Sequence, residues 1–140
     1  MAADYTLQRF LDAQATDYPT ALAELKAGRK RSHWMWYIFP QIQGLGFSAI
    51  SKHYAIGDAA EAAAYARHPV LGPRLVEIAT ALLGLASRNA TQVFGSPDDL
   101  KLRSSMTLFA AVPGASPVFQ AVLDKFFGGT PDAQTLRRLR

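Results

Sequence analysis

The sequence predicts an all-α protein, a compact single domain of about six to eight short helices over residues 1–140. Apolar residues recur at helical spacing along most of the chain. No segment alternates apolar and polar residues between two turn signals, as a half-buried strand would. Ser-Pro and Thr-Pro pairs, which are typical of helix starts, recur in the second half. With 49% hydrophobic residues, a chain of 140 residues can bury a core.

The first quarter of the chain predicts two helices that end at a glycine. Residues 7–14 and residues 18–25 each carry apolar side chains at helical spacing. Gly28 accepts the left-handed conformation in which helices commonly end. In the segment that follows, residues 34–38 are the best candidate for a short extended piece, and Pro40 ends it.

The middle of the chain predicts two further helices. Asp58 precedes Glu61 by three residues, which is the spacing of a capping box and opens an Ala-rich helix that ends near Arg67. Residues 71–85 then carry leucine and isoleucine on one stripe at helical spacing. Pro73 suits the first turn of that helix.

Three later helices are predicted from a hydroxyl residue followed by proline. In each pair the hydroxyl is expected to cap the helix and the proline to preset its first backbone angle. Gly95 is expected to close a short turn just before the first of them. The helices are expected to run to about Val112, to about Phe127 and to the end of the chain. The pairs are Ser96-Pro97, Ser116-Pro117 and Thr130-Pro131.

Composition narrows the class of protein. The formal net charge of +4 is mild, so we favour nucleic acid less than a small molecule as partner. The absence of cysteine excludes disulfides, thiolate metal sites and a cysteine nucleophile.

Residues 1–5 lack the basic and apolar regions of a signal peptide. No apolar run approaches the ~18–20 residues that span a bilayer. We therefore expect a cytoplasmic protein with no membrane attachment.

The segment from Gly28 to Gln41 is the first candidate site because it combines three consecutive cations with both tryptophans. Cations bind anions, and aromatic faces stack on rings. The segment therefore indicates a site for an anionic, ring-containing ligand. His33 is the candidate proton carrier. The candidate ligand contacts are Arg29, Lys30, Arg31, Trp34 and Trp36.

The segment from Asp98 to Phe109 is the second candidate. On a helix, Lys101 and Ser104 share a face, and a lysine beside small hydroxyls is unusual in mid-helix. We take both as candidate ligand contacts and Asp99 as a second candidate proton carrier. The alternative is that Ser104 fills a tight helix–helix contact and that Asp99 only complements the helix dipole.

No metal or cofactor is expected. The three histidines lack the spacing of metal ligands, and cysteine ligands are absent. No nucleophile elbow, phosphate loop or dinucleotide fingerprint occurs.

Together these segments resemble a known family. The blocks at residues 28–41, 68–75 and 98–109 are similar to those of an uncharacterised bacterial family catalogued as domain of unknown function 1810. The resemblance extends from about Leu7 to Leu139. It implies a small, all-helical, single-domain protein and no established reaction. Some members carry the name calpastatin, but a calpain inhibitor of that type is a disordered chain of low hydrophobicity, unlike this one.

Three hypotheses about function remain open. The first is a site for a nucleotide or an ADP-ribose derivative, in either a binding protein or a metal-independent hydrolase or transferase. The second is an interaction module that binds a partner protein or nucleic acid through the basic and aromatic segment. The third is that both segments belong mainly to the core. The sequence decides neither whether the chain is an enzyme nor its oligomeric state.

Overall fold

The computed structural model describes residues 7–140, and the nine helices in that range confirm the all-α class. The expectation about a signal peptide concerns residues 1–5, which lie outside the described residues. The helices are α1 Gln8–Lys26, α2 Met35–Ile38, α3 Ala49–Tyr54, α4 Ala59–Arg67, α5 Leu71–Leu83, α6 Ala90–Phe94, α7 Asp98–Ala110, α8 Val118–Phe127 and α9 Ala133–Arg138.

The prediction of two helices before Gly28 is wrong, because α1 is one continuous helix. Its buried face continues without a break from Phe10 through Gln14 and Tyr18 to Leu25. Burial of that stripe outweighs the backbone hydrogen bond lost at Pro19, whose ring lies on the exposed side.

The prediction of an extended piece at residues 34–38 is also wrong. The backbone forms a single helical turn, in which the amide of Ile38 donates to the carbonyl of Trp34 at 3.2 Å. In a strand Trp34 and Trp36 would lie on the same face. In the helical turn they diverge, so Trp34 is buried and Trp36 is half-buried at the surface.

The predicted helix starts are close to the observed ones, but none of the three predicted hydroxyl residues occupies the cap position. Ser116 precedes Pro117, the N-cap residue of α8, although its hydroxyl accepts a hydrogen bond from the amide of Val118 at 3.2 Å. Ser96 does not cap α7, because the cap position falls on Pro97. Thr130 does not cap α9, because the helix starts later and the carboxylate of Asp132 caps it.

The core lies where α8 packs against both α5 and α7, with α1 and α4 against α5. Residues 104–109 of α7 are all buried, so this helix is central. No helix in residues 7–140 has the length and apolarity that crossing a membrane requires. No group of three or more histidine or acidic side chains in the same range could hold a metal ion.

Candidate functional site

The basic loop after α1 is folded around the carboxylate of Glu24. Glu24 Oε1 accepts hydrogen bonds from the backbone amide of Arg31 at 2.7 Å and from Trp34 Nε1 at 2.9 Å. Ser32 Oγ donates to Oε2 at 2.5 Å. Burial by itself raises the pKa of Glu24, but these hydrogen bonds outweigh burial and lower the pKa to about 2. The indole of Trp34 is therefore part of the folded core, and 1% of the surface of this residue is exposed.

The two candidate segments are adjacent in space, a relationship that the sequence left open. Asp98 lies between two ammonium groups, with Oδ2 at 2.9 Å from Lys30 Nζ and Oδ1 at 3.4 Å from Lys101 Nζ. Each lysine also faces a tryptophan. Lys30 Nζ lies 5.0 Å from the Trp34 ring centroid, and Lys101 Nζ lies 5.2 Å from the Trp36 ring centroid. Both lysines therefore have partners within the protein.

A surface cleft of about 550 Å³ opens beside α2. Its walls come from α2, the loop at residues 41–47, α3 and the end of α9. Trp36 contributes to the wall, and we name this cavity the Trp36 cleft. Tyr54 forms another part of the wall, and its ring is backed by the ring of Tyr37 at 5.0 Å between centroids. Phe47 stands at the cleft with 86% of its surface exposed.

Two cations line the Trp36 cleft. They are Lys52 from α3 and Arg138 from α9. Within residues 7–140, neither side chain has an ion-pair partner, and the residues of that range that line the cleft include no Asp or Glu. The cleft therefore presents uncompensated positive charge beside exposed aromatic surface, an arrangement that favours an anion attached to a ring.

The guanidinium of Arg138 lies in space that Gly44 leaves free. Gly44 has a φ of +93°, and a Cβ at this position would overlap the guanidinium carbon and nitrogens of Arg138. Glycine thus serves two needs at this position, the left-handed backbone and the close approach of the arginine. The absence of a side chain at Gly44 therefore leaves room for the planar guanidinium at the cleft.

The other predicted site residues lie outside the cleft lining. Arg29, Arg31 and His33 are exposed on the loop that Glu24 organises. Asp99 is buried, with 9% of its surface exposed. Its carboxylate accepts hydrogen bonds from Thr91 Oγ1 at 2.6 Å and from the backbone amide of Leu100.

Ser104 is also buried, and its hydroxyl donates to the carbonyl of Leu100 in the preceding turn at 3.2 Å. Among the predicted contacts, Trp36 alone lines the Trp36 cleft. Lys101 does not line the cleft, but its ammonium contacts the ring of Trp36.

Sequence reasoning missed the residues that give the cleft its charge. Lys52 and Arg138 are 86 positions apart in the chain and meet only in the fold. The available signal was Gly44-Leu45-Gly46, two glycines in a loop next to the aromatic segment, which indicated a turn but no ligand.

Comparison with known proteins places this architecture in a family. Residues 4–139 match the model of a family described as "Protein of unknown function (DUF1810)". The chain belongs to the DUF1810 family. No curated protein matches the chain.

A solved structure is similar along nearly the whole chain. It is the crystal structure of the conserved hypothetical protein Rv1873 from Mycobacterium tuberculosis. The two chains are 48% identical, 95% of each is covered, and the TM-score is 0.93. The fold of this DUF1810 chain is thus shared with an experimental structure.

Proposed function

We propose that this DUF1810 protein binds an anionic, ring-containing small molecule of the nucleotide or ADP-ribose class in the Trp36 cleft. The observation that carries the proposal is the meeting of Lys52 and Arg138 with Trp36 in one cleft whose described lining has no carboxylate. The volume of about 550 Å³ lies within the range of small-molecule sites.

The cleft offers cations for the phosphate groups of such a ligand and aromatic surface for its base. An arginine fork recognises phosphate oxygens with two parallel hydrogen bonds, and the guanidinium of Arg138 lies at the cleft in the space that Gly44 leaves free. Lys52 adds a second cation. Trp36 and Phe47 offer aromatic surface on which a base could stack.

The geometry favours binding over catalysis by the predicted proton carriers. His33 lies on the Glu24 loop and Asp99 is hydrogen-bonded to Thr91, so neither side chain faces the Trp36 cleft. The proposal therefore assigns these two residues no part in a reaction.

A thermal-shift panel of AMP, ADP, ADP-ribose, adenosine and pyrophosphate tests the proposal. We expect ADP or ADP-ribose to raise the melting temperature of the wild type more than adenosine or pyrophosphate does, because adenosine lacks the anion and pyrophosphate lacks the ring. Arg138→Gln and Trp36→Ala should each remove most of that shift. If no compound stabilises the wild type at millimolar concentration, the proposed function is wrong.

A further inference from the structure

The indole of Trp36 contacts a charged group from outside the Trp36 cleft. Lys101 Nζ lies 5.2 Å from its ring centroid, and of residues 7–140, those that line the cleft do not include Lys101. We infer that Lys101 is a positioning residue: it fixes the orientation of the Trp36 indole and acts on a ligand's ring through it, without touching the ligand's anion. The ligand class rests on the proposed function above.

The backbone on either side of Trp36 is already fixed, so the side-chain torsions are its main freedom. Met35 and Ile38 are buried in the core, and Gln14 Nε2 donates to the carbonyl of Tyr37 at 2.8 Å. Within the described range, Trp36 stacks on no other aromatic ring, and no hydrogen bond holds its indole nitrogen. Besides apolar packing against the core, the ammonium of Lys101 is therefore the polar contact that favours one orientation of the indole.

Lys101 is itself held in place. Its ammonium lies 3.4 Å from Asp98 Oδ1, and the other oxygen of Asp98 pairs with Lys30. An ammonium that interacts with both a carboxylate and an aromatic face would lose these contacts on binding a phosphate, so it is a poor phosphate ligand. This geometry separates two roles for Lys101 that the sequence could not separate, contact with the anion and support of the aromatic wall.

The two roles predict different losses when the ammonium is removed. If Lys101 only positions Trp36, its loss should weaken ligands that contain a ring, such as ADP, and leave the affinity for pyrophosphate unchanged. If Lys101 contacts the anion directly, its loss should also weaken pyrophosphate, which has no ring. Lys101→Met keeps most of the stem of the side chain and removes its charge. Lys30→Met is the matched control, because Lys30 pairs with the same aspartate but faces the buried Trp34.

The experiment is calorimetric titration of ADP and pyrophosphate into wild type, Lys101→Met, Lys101→Arg and Lys30→Met at one ionic strength. We expect Lys101→Met to weaken ADP by about three- to tenfold and to leave pyrophosphate unchanged. Lys101→Arg should restore ADP affinity, and Lys30→Met should not alter it. Equal losses for ADP and pyrophosphate, or no loss for either, would overturn the inference.

Acrylamide quenching of tryptophan emission tests the inference without a ligand. Trp34 is buried, so quenching by this neutral probe reports mainly on Trp36. We expect Lys101→Met to increase quenching and Lys30→Met to leave it unchanged. If the wild type binds neither ADP nor pyrophosphate, the proposed function fails, and quenching still decides the role of Lys101. Equal quenching in Lys101→Met and wild type would then contradict that role.

Discussion

The guanidinium of Arg138 occupies the space that a side chain at Gly44 would need. This contact joins the end of α9 to a loop that precedes it by more than 90 residues, and it places a cation in the Trp36 cleft. The left-handed backbone of Gly44, with φ of +93°, makes the contact sensitive to a single methyl group.

Gly44→Ala should therefore displace Arg138 and weaken ADP binding on the order of tenfold, as expected for the loss of a charge-assisted hydrogen bond. The positive φ adds a cost of about 1–2 kcal/mol to the free energy of folding. Gly114→Ala is the matched control, because Gly114 has φ of +76° and open space around its Cβ position. Calorimetry and urea unfolding measure both effects. Similar ADP affinity in the two variants would contradict the proposed role of Gly44.

The two tryptophans should respond in opposite ways. Trp34→Phe loses the hydrogen bond to Glu24 and part of a buried ring, so the free energy of unfolding should fall by about 1–3 kcal/mol with ADP affinity retained. Trp36→Ala should weaken ADP binding and cost less stability, because Trp36 is only half-buried. Chemical denaturation beside titration distinguishes them. Loss of ADP binding in a folded Trp34→Phe protein would assign the ligand to the other tryptophan.

The Glu24 loop predicts a defined dependence of stability on pH. The folded-state pKa of about 2 lies below the ordinary 4.5, so ionised Glu24 stabilises the fold above about pH 4.5, and that contribution is lost as pH falls toward 2. Because Glu24 is partly exposed, we expect Glu24→Gln to cost only about 1–2 kcal/mol at pH 7.

Urea unfolding from pH 7 to pH 2.5 measures this contribution. The difference between wild type and Glu24→Gln should shrink as the pH falls below about 4.5. A difference that stays constant over this range would show that the charge of Glu24 is not what organises the loop.

The exposed cations of the Glu24 loop provide a test of the competing interaction module. Arg29 and Arg31 lie outside the Trp36 cleft lining, so replacing both with Gln should leave ADP affinity within about twofold at a fixed ionic strength. If the loop instead binds nucleic acid, the same double variant should weaken binding of a short oligonucleotide and reduce its dependence on salt. Fluorescence anisotropy at several salt concentrations separates these outcomes.

Much of the fold could be predicted because its signals are local. The Asp58–Glu61 cap, the stripe of α5 and the glycine after α6 depend on neighbouring residues, and the structure confirms each of them. The errors arose where tertiary packing decides. Burial of Gln14 and Tyr18 on one face carries α1 past Pro19, a continuity that a local reading did not favour.

The candidate site was harder to predict for a related reason. The contiguous block of cations and aromatics at residues 28–41 was the clearest local signal, but Glu24 folds the first part of that block into a loop of its own. The cleft is assembled from segments that are distant in the chain, and Arg138 carries no local mark of its role. Trp36, one of the predicted ligand contacts in that block, does line the cleft.

The most direct measurement of the central claim is a two-dimensional amide NMR titration of the ¹⁵N-labelled protein with ADP. If the ligand binds in the Trp36 cleft, the largest shifts should fall on residues 41–47, on α3 and around Arg138, together with the indole signal of Trp36. Shifts confined to residues 29–33, or no saturable shift at millimolar ADP, would contradict the claim.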